Sequence, residues 1–89
     1  GDTAKTMEYY NKSYKIFEEM GDLVSMSRQV GNIGWSYVGK KDYKRAALYT
    51  KKAIELLKNT DGLDLLYNWY DNLSYINEIE ENYKDAKQT

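Results

Sequence analysis

Displaced by forty residues, the sequence falls back on itself. Tyr9 meets Tyr49, Lys12 meets Lys52, Leu23 meets Leu63 and Asn32 meets Asn72; further on, Tyr43 meets Tyr83, Lys44 meets Lys84 and Ala46 meets Ala86. Pairs of similar character fill the intervals: Met26 with Leu66, Ile33 with Leu73, Trp35 with Tyr75, Ser13 with Ala53, and Ile16 with Leu56. A closed bundle has no reason to repeat in this way. A stack of helical hairpins does, because each copy buries the face that its neighbour leaves open. The 89 residues hold slightly more than two such copies.

Within each copy the apolar residues keep helical time. Met7, Tyr10, Tyr14 and Phe17 share one stripe, and Leu23, Met26, Val30, Ile33 and Tyr37 make the next. Tyr43, Ala46, Thr50, Ala53 and Leu57 form a third, and Leu63, Leu66, Tyr70 and Leu73 a fourth. These spacings of three and four place each set on one side of a helix. Between them lie Gly21-Asp22, Gly39 to Asp42, and Asp61-Gly62. Asp22, Asp42 and Asp61 are candidate acceptors for the free amides of a helix start, and Asn82 offers a start for a short fifth helix. No segment alternates over the length of a strand, and the chain has no Pro. The chain is predicted to be all-α, with helical segments over residues 3–20, 22–59 and 62–89: the second helix of one hairpin, a whole hairpin, and most of the next.

Composition removes several classes of function. With no Cys and no His there is no disulfide framework, no zinc site of the usual ligands and no His-based triad. Thirteen basic residues against fourteen acidic ones leave no nucleic-acid footprint. At a mean hydropathy of −0.83 no apolar run reaches the roughly 18–20 residues of a membrane span. Gly1 in place of an initiator Met points to a piece of a longer chain, so missing targeting signals carry no information. A cytoplasmic setting is favoured, and the absence of Cys fits a periplasmic one as well.

Motifs that carry chemistry fail on inspection. Gly34-Trp35-Ser36-Tyr37-Val38-Gly39-Lys40 has the spacing of a phosphate loop, but Lys41 stands where Ser or Thr would hold magnesium, and no strand precedes it. Asn59, Asp61 and Gly62 echo a calcium loop whose first ligand would be Leu57 and whose closing carboxylate would be Asn68. Glu18-Glu19 and Glu80-Glu81 are carboxylate pairs on charged surfaces with nothing to tune them. No catalytic residue, metal or cofactor is implied, and an enzyme is disfavoured. Charge is nonetheless uneven: residues 40–58 carry a net +5 and residues 61–85 a net −6. Attraction between neighbouring helices is the simplest account of that division.

Residues 32–56, NIGWSYVGKKDYKRAALYTKKAIEL, resemble a tetratricopeptide repeat. Ile33, Gly34 and Tyr37 stand where the family places a large apolar residue, a small one and an aromatic on its first helix. Lys41-Asp42-Tyr43 matches its turn, and Ala46 and Ala53 match the small residues of its second helix. Thr50 departs from the usual aromatic, Val30 takes the Trp position and Lys58 the closing Pro. The next unit matches at Leu73, Ser74, Tyr83 and Ala86, with Tyr70 in the Trp position. The forty-residue period looks like the longer repeats of bacterial sensor kinases, peptide-sensing regulators and scaffolds.

The resemblance implies a right-handed superhelix of stacked hairpins, about two repeats long, and a function in binding protein or peptide partners rather than in catalysis. In the family the first helix of each hairpin lines a groove. Carried over residue by residue, the groove positions are Arg28, Gly31, Asn32 and Trp35 in one unit and Asn68, Asp71, Asn72 and Tyr75 in the next. Gly31, unneeded by the packing motif, would expose bare backbone one turn before Trp35 and leave the indole open to a ligand. Asn32, Asn68 and Asn72 would then bond a peptide backbone while Trp35 and Tyr75 hold an apolar side chain. The variety that clamps a terminal carboxylate does not match, since Gly31/Trp35 and Asp71/Tyr75 replace its Lys and Asn. Two alternatives stand beside this: a peptide-sensing receptor domain of a transcriptional regulator, and an oligomerisation scaffold without a groove. Apolar stripes left uncovered on the outer helices are expected to promote self-association.

Overall fold

The computed structural model describes the backbone of residues 2–88 and the side chains of residues 4–86. The chain is all-α, with no strand among the described residues. Four helices follow one another: α1 (Asp2–Met20), α2 (Leu23–Gly39), α3 (Tyr43–Leu56) and α4 (Leu63–Gln88). Helix α2 packs most extensively against α3; α1 lies against α2, α4 lies against α3, and α4 also reaches α2.

Capping chemistry sets the first two turns. The Asp22 carboxylate accepts from the Ser25 amide at 3.1 Å and from the Ser25 hydroxyl at 2.8 Å. Those two donors, the hydroxyl first, hold its pKa below the ordinary carboxylate value. Asp42 accepts from the Arg45 amide at 3.2 Å in the same way. Gly21 ends α1 in the left-handed conformation at φ 72°, while Lys41 takes that conformation at φ 62° after α2 without the freedom of a glycine. At the third turn the expected cap shifts by one residue. The Leu66 amide bonds the carbonyl of Gly62, so Gly62 and not Asp61 occupies the cap position. A side chain there would press on Leu57 and Val24, 3.2 and 3.3 Å from its ideal Cβ.

The α2–α3 pair closes as its small residues dictate. Val30, Ile33, Ala46, Ala53 and Leu57 are buried, as is Thr50. Gly34 lies against the α3 backbone itself, where a Cβ would stand 3.0 Å from Thr50 Oγ1 and 3.1 Å from the Ala46 carbonyl oxygen. Thr50 suits this place because its hydroxyl donates to the Ala46 carbonyl at 2.7 Å, whereas an aromatic ring would leave α2 no room. Replacing Gly34 with Leu should therefore lower stability by about 1–3 kcal/mol. Chemical denaturation checks this, and an unchanged midpoint would remove Gly34 from the crossing.

Helix α4 departs from expectation in three respects. Its buried residues are Trp69 and Ile76, spaced seven apart, and not Tyr70, which is 50 % exposed against 3 % for Trp69. Leu63, also assigned to the packing stripe, is exposed, while Leu65 and Leu66 pack against the core from the turn below. The helix also runs 26 residues without a break through Asn82, so no fifth helix begins there. In the unit before, Gly39 precedes the turn; its counterpart is Ile79, and residues 74–88 contain neither Gly nor Pro.

Corresponding positions of the two units touch. Trp35 and Tyr75, forty apart, have ring centroids 5.8 Å apart, and Tyr43 and Tyr83, again forty apart, meet edge to face at 6.1 Å. Since Ser27 is joined to Trp69 and Trp35 to Tyr75, α2 and α4 run in the same direction. The charge division contributes no direct pairing. Ion pairs join Glu8 to Lys12, Asp42 to Arg45, Glu55 to Lys58 and Glu80 to Lys84, all within one helix or its cap, and among the described residues none crosses from α3 to α4. Glu80 instead shares a hollow with Lys40, Lys41 and Lys44, where attraction acts over a longer, more screened range.

Candidate functional site

The eight residues assigned to a groove separate into two environments. Trp35 on α2 and Tyr75 on α4 come together, their rings tilted by 37° and exposed by 46 % and 48 %. Neither is covered by another helix, so each ring keeps about half its surface for a ligand. Arg28, Asn68 and Asp71 are exposed, and Asn32 and Asn72 are half-buried. On α2, Arg28, Asn32 and Trp35 stand at i, i+4 and i+7 and so share one side; on α4, Asn68, Asn72 and Tyr75 repeat that spacing. Because α2 and α4 run parallel with Trp35 opposite Tyr75, the two polar-aromatic rows lie alongside each other. The Asn32 backbone carbonyl accepts from the Ser36 hydroxyl at 3.1 Å.

Gly31 belongs elsewhere. It is buried, and a Cβ placed on it would overlap the six-membered ring of Trp69. Its missing side chain makes room for that indole and does not present backbone to a ligand beside Trp35. Trp69 is fixed in turn by a short relay: its Nε1–H donates to Ser27 Oγ at 3.0 Å, and the Ser27 hydroxyl donates to the Ala53 carbonyl at 2.7 Å. One buried chain of hydrogen bonds thus ties α4, α2 and α3 together. The sequence carried one signal of it, a costly glycine on α2 and a Trp on α4 with no assigned place.

A second concavity lies on a different side of α2. Between α1 and α3 a groove of about 440 Å³ is floored by Val30 and Ile33 and walled by Tyr14, Tyr49 and Leu56. Tyr49 stacks on Tyr37 at 5.5 Å with planes 11° apart, and Lys52 sits over the Tyr49 ring at 5.6 Å, so a cation stands at the rim. This hollow therefore lies away from the aromatic pair. It offers apolar depth, while the α2–α4 face offers paired rings among amide side chains.

Among the described residues no three side chains of His, Cys, Asp or Glu gather as a metal site, and no helix is long and apolar enough to cross a membrane. Family models, curated proteins and solved structures contain no match to this chain.

Proposed function

We infer that the chain is a noncatalytic module that binds a peptide or an extended segment of a protein across the face shared by α2 and α4, as part of a right-handed stack of tetratricopeptide-like hairpins in a larger regulatory or signalling protein. One observation carries this: two half-exposed rings, Trp35 and Tyr75, in contact at equivalent positions of successive units. Aromatic pairs of this kind anchor an apolar side chain with little loss of side-chain entropy. Asn32, Asn68 and Asn72 are spaced to exchange hydrogen bonds with a peptide backbone, each amide both donating and accepting. Arg28 and Asp71 supply opposite charges at the margin. The α1–α3 groove offers fewer such groups for a main chain, since its Glu55 is engaged with Lys58 at 3.6 Å and its Lys52 lies on Tyr49.

The test is a random peptide library displayed on phage, selected on the immobilised chain, with the enriched peptides measured by calorimetry. Trp35→Ala should weaken them about tenfold or more, a loss of roughly 1.4 kcal/mol or above. Tyr75→Ala should weaken the same peptides. Peptides that bind the Trp35→Ala chain as well as the unaltered one, yet fail on Lys52→Glu, would move the site to the α1–α3 groove.

A further inference from the structure

Two helix stripes are bare, and the internal repeat says what each would match. Ser27, Val30 and Gly34 form the line of α2 that meets α3: Ser27 donates to the Ala53 carbonyl, Val30 shares a buried cluster with Ala53, and Gly34 lies on Ala46 and Thr50. Advanced by forty residues this line becomes Tyr67, Tyr70 and Ser74 of α4, all exposed, with exposed Leu63 one turn before. The opposing line on α3 includes Tyr49, stacked on Tyr37 of α2, together with Ala53 and Leu56. Moved back by forty residues it becomes Tyr9, Ser13 and Ile16 of α1; Tyr9 and Ile16 are exposed, as is Met20 one turn on. The chain thus carries both halves of its own α2–α3 contact a second time, one at each side, and leaves their large side chains Tyr67, Tyr70, Tyr9 and Ile16 exposed.

We propose that copies of this chain associate head to tail, the Leu63–Tyr67–Tyr70 stripe of α4 in one copy taking the Tyr9–Ile16–Met20 stripe of α1 in the next, in the way that α2 takes α3 within the chain. The occupant is a second copy because the surface continues an interface the chain already makes. Sizes agree along it. The pair Ser27–Ala53 becomes Tyr67 opposite Ser13, and Gly34–Thr50 becomes Ser74 opposite Tyr10, so in both pairs a large residue faces a small one. Exposed apolar rows of this extent on a soluble chain mark contact surfaces. The two stripes differ, so the contact is heterologous and does not stop at a dimer by symmetry. It also lies on other sides of α4 and α1 from the Trp35–Tyr75 pair and stands independently of the peptide site.

Blocked ends provide the test, read by sedimentation velocity and light scattering from roughly 10 µM to 1 mM. The unaltered chain should rise from its monomer mass of 10.5 kDa past two copies. Tyr67→Glu/Tyr70→Glu spoils one end, and Ile16→Glu/Met20→Glu spoils the other. Each double variant alone should stay monomeric at every concentration, with helical circular dichroism unchanged. Mixed in equal amounts, each retains the end that the other lacks, and the pair should form two-copy species and nothing larger. Trp35→Ala should leave the association as it was. An unaltered chain that is monomeric at 1 mM would overturn the proposal, as would a double variant that still associates alone, or a mixture that stays monomeric.

Discussion

Replacing Trp69 with Ala should remove about 3–5 kcal/mol of stability, the usual cost of truncating a buried aromatic side chain. The indole is 3 % exposed and belongs to one buried cluster with Val30, Ala53 and Leu57, which lie on α2 and on α3 and its end. Truncation opens a cavity against Gly31, which has no side chain to relax into it. It also removes the donor to Ser27 Oγ, although the Ser27 hydroxyl keeps its own bond to the Ala53 carbonyl. A natural domain holds about 0.05–0.15 kcal/mol per residue, so for 89 residues the loss takes a large share of the whole. At about 4–8 °C per kcal/mol the melting temperature should fall by roughly 12–40 °C, read by circular dichroism. Tyr70→Ala, one residue on but half exposed, should shift it by far less. Equal losses from the two substitutions would mean that the register of α4 is that of the sequence pattern and not the one described.

The contrast between Trp69 and Tyr70 shows where sequence reading stops. The helices, the Asp22 and Asp42 caps and the close α2–α3 crossing were all legible, because local chemistry decides them. Asp22 and Asp42 each stand three residues before a free amide just after a helix has ended, and the row of Gly34, Ala46, Thr50 and Ala53 permits close approach. The face of α4 was not legible in that way. Leu63, Leu66, Tyr70 and Leu73 make as regular a stripe as Leu65, Trp69 and Ile76, and hydrophobic periodicity alone cannot choose between two apolar rows on one helix. Packing chose: the row with the large ring fits over Gly31, and of the other row Leu66 still packs against the core while Leu63 and Tyr70 are left exposed.

Break points show the same limit. Asn82 aligns with Asp42, but a capping residue starts a helix only where the preceding helix ends, and nothing in residues 74–88 ends it. Asp61 has the right chemistry one position too early, because Gly62 sits where a side chain would meet Leu57 and Val24. For the candidate site, the forty-residue period aligned Trp35 with Tyr75 and the resemblance put both on a groove; their contact is a finding of the structure. The period said nothing of Gly31, whose partner lies two positions off its own repeat equivalent, Asp71. A pair that breaks the repeat cannot be found by the repeat.

That pair yields the second large effect, as a reversal of sign. At an unconstrained position inside a helix, Gly to Ala adds about 1 kcal/mol of stability. At Gly31 the added methyl would overlap the Trp69 ring, which is held by Ser27 and by the buried cluster and has nowhere to retreat. Gly31→Ala should therefore cost about 2 kcal/mol, and a larger side chain more. Trp69→Leu, which retains an apolar residue but vacates the ring's place, should reverse the outcome: with Leu at 69, Gly31→Ala should stabilise by up to about 1 kcal/mol. The two substitutions would then be non-additive by about 3 kcal/mol, at the upper end for residues in direct contact. Denaturant titration of the four chains gives the cycle. Additivity within about 0.5 kcal/mol would separate Gly31 from Trp69, and Gly31 would return to the α2–α4 face as a position open to a ligand.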